Sequence, residues 1–177
     1  MDVYKKAQFK GPNGFTLIEL LVTLSIASIL LAIGLPSFVT FINNNRVSAQ
    51  ANDLVFSFHM ARSEATKRGT EVRVVSIGGT NWNGGWRVAA DTNNDGDFLD
   101  ANDVLMTWDS VVSGALTLVA TNAPSNAYIS FNSRGSVSPN NASYSFTLKP
   151  DDCDAIDSRI IAVESSGRAS VAKKDCS

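Results

Sequence analysis

Gly14-Phe15-Thr16-Leu17-Ile18-Glu19-Leu20 opens a run that stays apolar as far as Leu35, FTLIELLVTLSIASILLAIGL, with Glu19 as its single charge. At about 1.5 Å per residue, a helix over this run reaches roughly 31 Å, the thickness of a bilayer's hydrocarbon core. Two ordinary readings apply. Lys5, Lys6 and Lys10 give a secretory signal its basic start, with Ala32-Ile33-Gly34 as a weak small-residue cleavage site. A plain single-span anchor with its lysines on the cytoplasmic side fits as well. Neither accounts for Glu19, because a carboxylate within an apolar span costs on the order of 2.5–3.5 kcal/mol and is normally there for a partner.

Outward from this run, the composition changes. The chain has 177 residues, 44% of them apolar, and a net charge of −2. Once the segment before Asn43 is set aside, 12 Lys/Arg face 15 Asp/Glu. That balance excludes a strong overall basic field for nucleic acid and leaves only local patches. A single histidine, no Gly-rich phosphate loop and no glycine–serine elbow leave catalysis little footing, and no cofactor requirement is read. Cys153 and Cys176 are the only cysteines. With the head outside the cytoplasm they meet an oxidising compartment, where a disulfide is expected. Its loop of roughly two dozen residues is worth about 3 kcal/mol in the loop-entropy model.

The heptapeptide closely resembles the class III signal of type IV pilins and type II secretion pseudopilins. The resemblance implies cleavage between Gly14 and Phe15 by a prepilin peptidase, with N-methylation of Phe15. It divides the chain into a removed leader (1–14), a transmembrane and assembly helix (15–42) and a periplasmic head (43–177). Glu19 then pairs with the N-terminal amine of a neighbouring subunit, each charge partnering the other in low dielectric. Pro36 falls where these pilins commonly kink.

Past Pro36 the helix is expected to run to Arg68. Val47, Ala51, Leu54, Phe58, Ala61 and Ala65 recur at spacings of three and four, while Arg46, Gln50, Asp53 and Lys67 occupy the other face. This stripe predicts an amphipathic helix over 43–68 lying against a sheet. Gly69 ends it, with Lys67 and Arg68 in the last turn. His59, one position off the stripe, reads as a helix-surface residue. The periodicity over 70–177 is that of short strands: Thr70–Ile77, Gly85–Ala89, Val104–Trp108, Leu116–Ala120, Ala127–Asn132, Ser143–Lys149, Arg159–Val163 and Gly167–Ala172. Turns are expected at Gly78-Gly79, Asn83-Gly84-Gly85 and Pro139-Asn140-Asn141. A long helix followed only by strands is α+β. Trp82, Trp86 and Trp108 read as core or boundary aromatics.

Ala61-Arg62-Ser63-Glu64-Ala65, Gly85-Trp86-Arg87-Val88, Ile129-Ser130-Phe131-Asn132 with Arg134-Gly135, and Arg159–Val163 followed by Gly167-Arg168 resemble the FimT/GspH-type minor pilins and pseudopilins. The implied fold is pilin-like. The implied function is a minor pilin of a type IV pilus or its priming complex, serving pilus biogenesis and with it twitching motility or adhesion. The alternative is a type II secretion pseudopilin. Implied partners are other pilins, the peptidase and the inner membrane, crossed once with the head in the periplasm and surface-exposed after assembly.

Two head segments are candidate sites. Asp91-Thr92-Asn93-Asn94-Asp95-Gly96-Asp97 is the front half of an EF-hand-like calcium loop, with Asp100 and Asp103 as further ligands. Position twelve is Asn102 instead of a bidentate Glu, so a solvated turn rich in Asx residues is the competing reading. Some members of the resembled family capture DNA through a C-terminal Gly-Arg-x-Arg motif. Here Gly167-Arg168-Ala169-Ser170 lacks the second arginine, and Lys173 and Lys174 are its only substitutes. Asp157, Glu164 and Asp175 counter that patch, and a hairpin turned to a neighbouring subunit competes with DNA binding.

Overall fold

The structure, a computed structural model, describes residues 14–98, 100–111, 116–122, 126–138, 142–150 and 156–175, the side chain of Pro36 excepted. Among the described residues, one helix, α1 (Leu17–Arg68), precedes nine strands. The backbone is helical through Pro36. The chain divides after Val39 into two compact units.

In the first unit the apolar residues from Phe15 to Val39 lie exposed. The helix is long and apolar enough to cross a membrane, with a mean hydropathy of 2.4 over its most apolar window and none of that window buried.

In the second unit, α1 continues to Arg68 and the strands form two antiparallel sheets. Strands β1 (Val72–Gly78), β2 (Asn81–Ala90), β3 (Val104–Trp108), β5 (Tyr128–Phe131) and β6 (Val137–Ser138) make one, in the order β3-β2-β1-β5-β6. The other runs β4-β7-β8-β9, from β4 (Leu116–Ala120), β7 (Tyr144–Pro150), β8 (Ser158–Val163) and β9 (Ala169–Lys174). The six stripe residues of α1 are all at most 1% exposed. Phe58 joins the helix to both sheets, its ring centre 6.4 Å from Phe131 and 5.7 Å from Phe146. Trp82 meets Phe146 edge-on at 4.9 Å, which ties the sheets directly. Trp108 is half-buried and packs on Phe56 and Trp86. Aromatic contacts of this kind add about 0.5–1.5 kcal/mol each beyond area burial.

All eight expected strands form, and β6 is a ninth. The expected turn at Asn83-Gly84-Gly85 does not form: these residues lie inside β2, and the reversal is made by Gly79 and Thr80. The glycines serve close backbone approach instead, since a Cβ on Gly85 would run into the Trp108 carbonyl and one on Gly84 would sit tightly against the Gly78 backbone. Asn83 bridges the sheets, its Oδ1 accepting from Leu118 N at 2.6 Å and its carbonyl from Val111 N at 3.0 Å. The expected turn at 139–141 lies outside the described residues, as do Cys153 and Cys176.

Candidate functional site

The start of α1 is built from the heptapeptide itself. Thr16 is the cap residue and Glu19 stands three residues on, the reciprocal capping box. Glu19 N donates to Thr16 Oγ1 at 3.3 Å, and Glu19 Oε2 accepts from Thr16 N at 3.3 Å and Thr16 Oγ1 at 3.4 Å. Glu19 therefore satisfies its own helix end while remaining exposed, with Gly14 and Phe15 exposed just before it. The Thr-x-x-Glu spacing carries this signal in the sequence, hidden there by the charge's conflict with an apolar span.

The acidic loop connects β2 to β3. Ala90 N donates to the Asp103 carbonyl at 2.9 Å, so the loop's ends meet as the last rung of that hairpin. Asp103 is fully buried; its Oδ1 accepts from Thr92 N at 2.8 Å and Thr92 Oγ1 at 2.6 Å. The Thr92 hydroxyl, followed by its backbone N–H, holds the Asp103 carboxyl below the usual carboxylate range. Asp91 Oδ2 accepts from Gly96 N at 2.9 Å, and Asp95 Oδ1 from Asp97 N at 2.7 Å. Gly96 takes a φ of 83°, as a turn this tight requires. Asn93 Nδ2 donates to Asp95 Oδ2 at 2.7 Å and to Asp100 Oδ2 at 3.4 Å. Of the six expected ligands, Asp91, Asp95 and Asp103 converge, each with an oxygen within 4.8 Å of the others. Asn93 turns an N–H towards Asp95 and Asp100, and Asp97 faces Arg73 and Tyr128 across a surface pocket. Phe98, buried, clamps the loop to the sheet with the Arg73 guanidinium between its ring (3.7 Å) and that of Tyr128 (4.4 Å).

The terminal hairpin separates its three cations. Arg168 lies in the β8–β9 turn, whereas Lys173 and Lys174 close β9, about 16 Å away along a strand. Lys173 Nζ is engaged with Asp157 Oδ2 at 2.7 Å and pulls that carboxyl below its ordinary range. Gly167 is there for packing: at a φ of 80°, a Cβ would collide with the Gly135 carbonyl. The Arg134-Gly135 and Gly167-Arg168 turns thus abut, joined by Val137 N donating to the Ser165 carbonyl at 3.0 Å. His59 is exposed on α1, as a helix-surface residue.

Residues 10–35 match the model for the prokaryotic N-terminal methylation motif, and residues 50–167 match the model for type II transport protein GspH. No curated protein matches the sequence. Among solved structures, the chain is similar to the type IV minor pilin FimU of Pseudomonas aeruginosa, with 17% identity and a TM-score of 0.61 over 77% of this chain and 99% of FimU. The minor pseudopilin EpsH of Vibrio cholerae matches at 12% identity and a TM-score of 0.49, over 72% and 97% of the two chains. An apolar helix behind a methylation motif, followed by a helix-on-sheet head with the FimU fold, defines a type IV pilin-like subunit. Within that class the chain belongs to the GspH family, which the model matches over more than half its length. It is a minor pilin or pseudopilin, a structural subunit of the kind that type IV pili and type II secretion systems assemble.

Proposed function

We propose that this chain is a minor pilin, inserted once in the inner membrane, cut between Gly14 and Phe15, and built into a type IV pilus or its priming complex. The observation that carries the reading is the exposed, apolar start of α1 behind a methylation motif. Apolar side chains from Phe15 to Val39 that the chain itself leaves uncovered need lipid before assembly and neighbouring subunits after it. Cleavage frees an ammonium at Phe15 next to the Glu19 carboxylate. A neighbour's ammonium can then take over the oxygen that Thr16 occupies in the single chain. The head stays on the periplasmic side, where Cys153 and Cys176 oxidise.

The second reading, a type II secretion pseudopilin, is favoured by the description of the matched family itself. Deleting the gene in its source cell separates the two. Loss of surface pili with secretion intact supports the pilus; lost secretion with pili intact supports the pseudopilus. No change in either, with the chain absent from sheared filaments, would overturn both.

A further inference from the structure

We propose that the β2–β3 loop holds one calcium ion, ligated by the carboxylates of Asp91, Asp95 and Asp103. Convergence of acidic residues is not sufficient for a site, since exposed carboxylates gather in many loops. Here two of the three acids also carry a buried oxygen with no donor: Asp91 Oδ1 and Asp103 Oδ2 are shielded from water and unbonded. Asp103 is 0% exposed. A buried anionic oxygen without a partner costs about 1–3 kcal/mol or more, and a native fold retains one where something absent supplies the partner. Among the described residues, no lysine or arginine pairs with Asp91, Asp95 or Asp103. The nearby Arg73 is held between two rings, with its Nε on Glu71 at 2.7 Å. A cation is the partner that satisfies both oxygens at once.

The geometry selects the ion. Three carboxylates and no sulfur or imidazole make a hard, all-oxygen donor set. Their oxygens lie within 4.8 Å of one another, a separation that two calcium–oxygen bonds of about 2.4 Å span. Magnesium demands shorter bonds and a stricter octahedron than an irregular loop with one exposed edge provides. The opposite oxygen of two of the acids is fixed by a local donor, Gly96 N on Asp91 and Thr92 on Asp103. Asp95 accepts from Asp97 N on Oδ1 and from Asn93 Nδ2 on Oδ2, so the ion would share or displace the Asn93 amide there. The site is thus oriented before the ion arrives. Asp103, at loop position thirteen, does the work expected of a glutamate at twelve. The ion would bind both ends of the β2–β3 connection and so fasten β3, an edge strand, to its sheet.

The test is a calorimetric titration of the full chain in detergent micelles, stripped with chelator, using CaCl2 and in parallel MgCl2, together with the melting temperature. The expected result is one calcium per chain, with Kd in the range of about 10⁻⁵–10⁻³ M for a site short of a bidentate glutamate. Saturation should raise melting by about 5 °C or more. Asp95→Asn, at an exposed position that leaves the fold intact, and Asp91→Asn should each weaken binding at least about tenfold. Absence of heat and of any melting shift at 10 mM (roughly ten times the weakest Kd expected) overturns the proposal. A shift that survives both substitutions overturns it too, because the ion then binds elsewhere. An equal response to MgCl2 overturns the assignment to calcium.

Discussion

The two ends of α1 follow opposite rules. From Phe15 to Val39 nearly every position is apolar and exposed, and the helix has no face. From Val47 to Ala65 apolar residues fall on one stripe, each at most 1% exposed, and that stripe is the floor of the core. A helix apolar all round is written for surroundings the chain does not supply, whereas a striped helix is written for its own sheet. Stability should therefore reside in the head and assembly in the anchor. All three tryptophans belong to the head, so their fluorescence reports its unfolding alone.

The comparison is sharpest at Phe58, where helix and both sheets meet. Phe58→Ala should lower head stability by about 3–5 kcal/mol in denaturant titration, while Leu24→Ala in the anchor should leave it within about 0.5 kcal/mol. Similar losses from the two changes would erase the distinction. Gly167→Ala should cost about 1–3 kcal/mol, because it forces a Cβ at positive φ into the Gly135 turn. Glu19→Gln should leave tryptophan-monitored unfolding within about 0.5 kcal/mol of the parent, yet sharply reduce recovery of the chain in sheared filaments. A drop in head stability there would tie Glu19 to the head and break the division.

The smallest effect concerns acid. Glu64, bonded by Arg68 and Lys67, and Asp157, bonded by Lys173, have depressed pKa values. With folded values below unfolded ones, their stabilisation is present above about pH 4 and is lost as pH falls through the depressed values. Asp53, raised by burial, acts in the opposite sense. Melting should hold between about pH 7 and 5 and decline below about pH 4. Glu64→Gln should flatten that decline slightly, since an exposed pair is screened by salt.

Legibility in the sequence followed the strength of the local pattern. The anchor, the stripe and eight strands were readable because each repeats its period over several residues. Strand β6 has only two residues, too few for any period. Asn83-Gly84-Gly85 carries turn chemistry but serves backbone packing, which depends on Trp108 more than twenty residues away. Strand order was out of reach because β1 lies between β2 and β5, a pairing no neighbouring residues encode. The acidic loop was visible as a pattern. Which of its acids converge depended on the fold of the β2–β3 hairpin, and the separation of Arg168 from Lys173 depended on β9 being extended.

The central claim, a processed pilin anchor carrying an independently stable head, is tested most directly by intact-mass and N-terminal analysis of the chain recovered from its native membrane or sheared filaments. The expected chain begins at N-methylated Phe15 and has the mass of the oxidised Cys153–Cys176 pair. A chain beginning at Met1 in a cell that possesses the peptidase, or one beginning beyond Gly34, would contradict it.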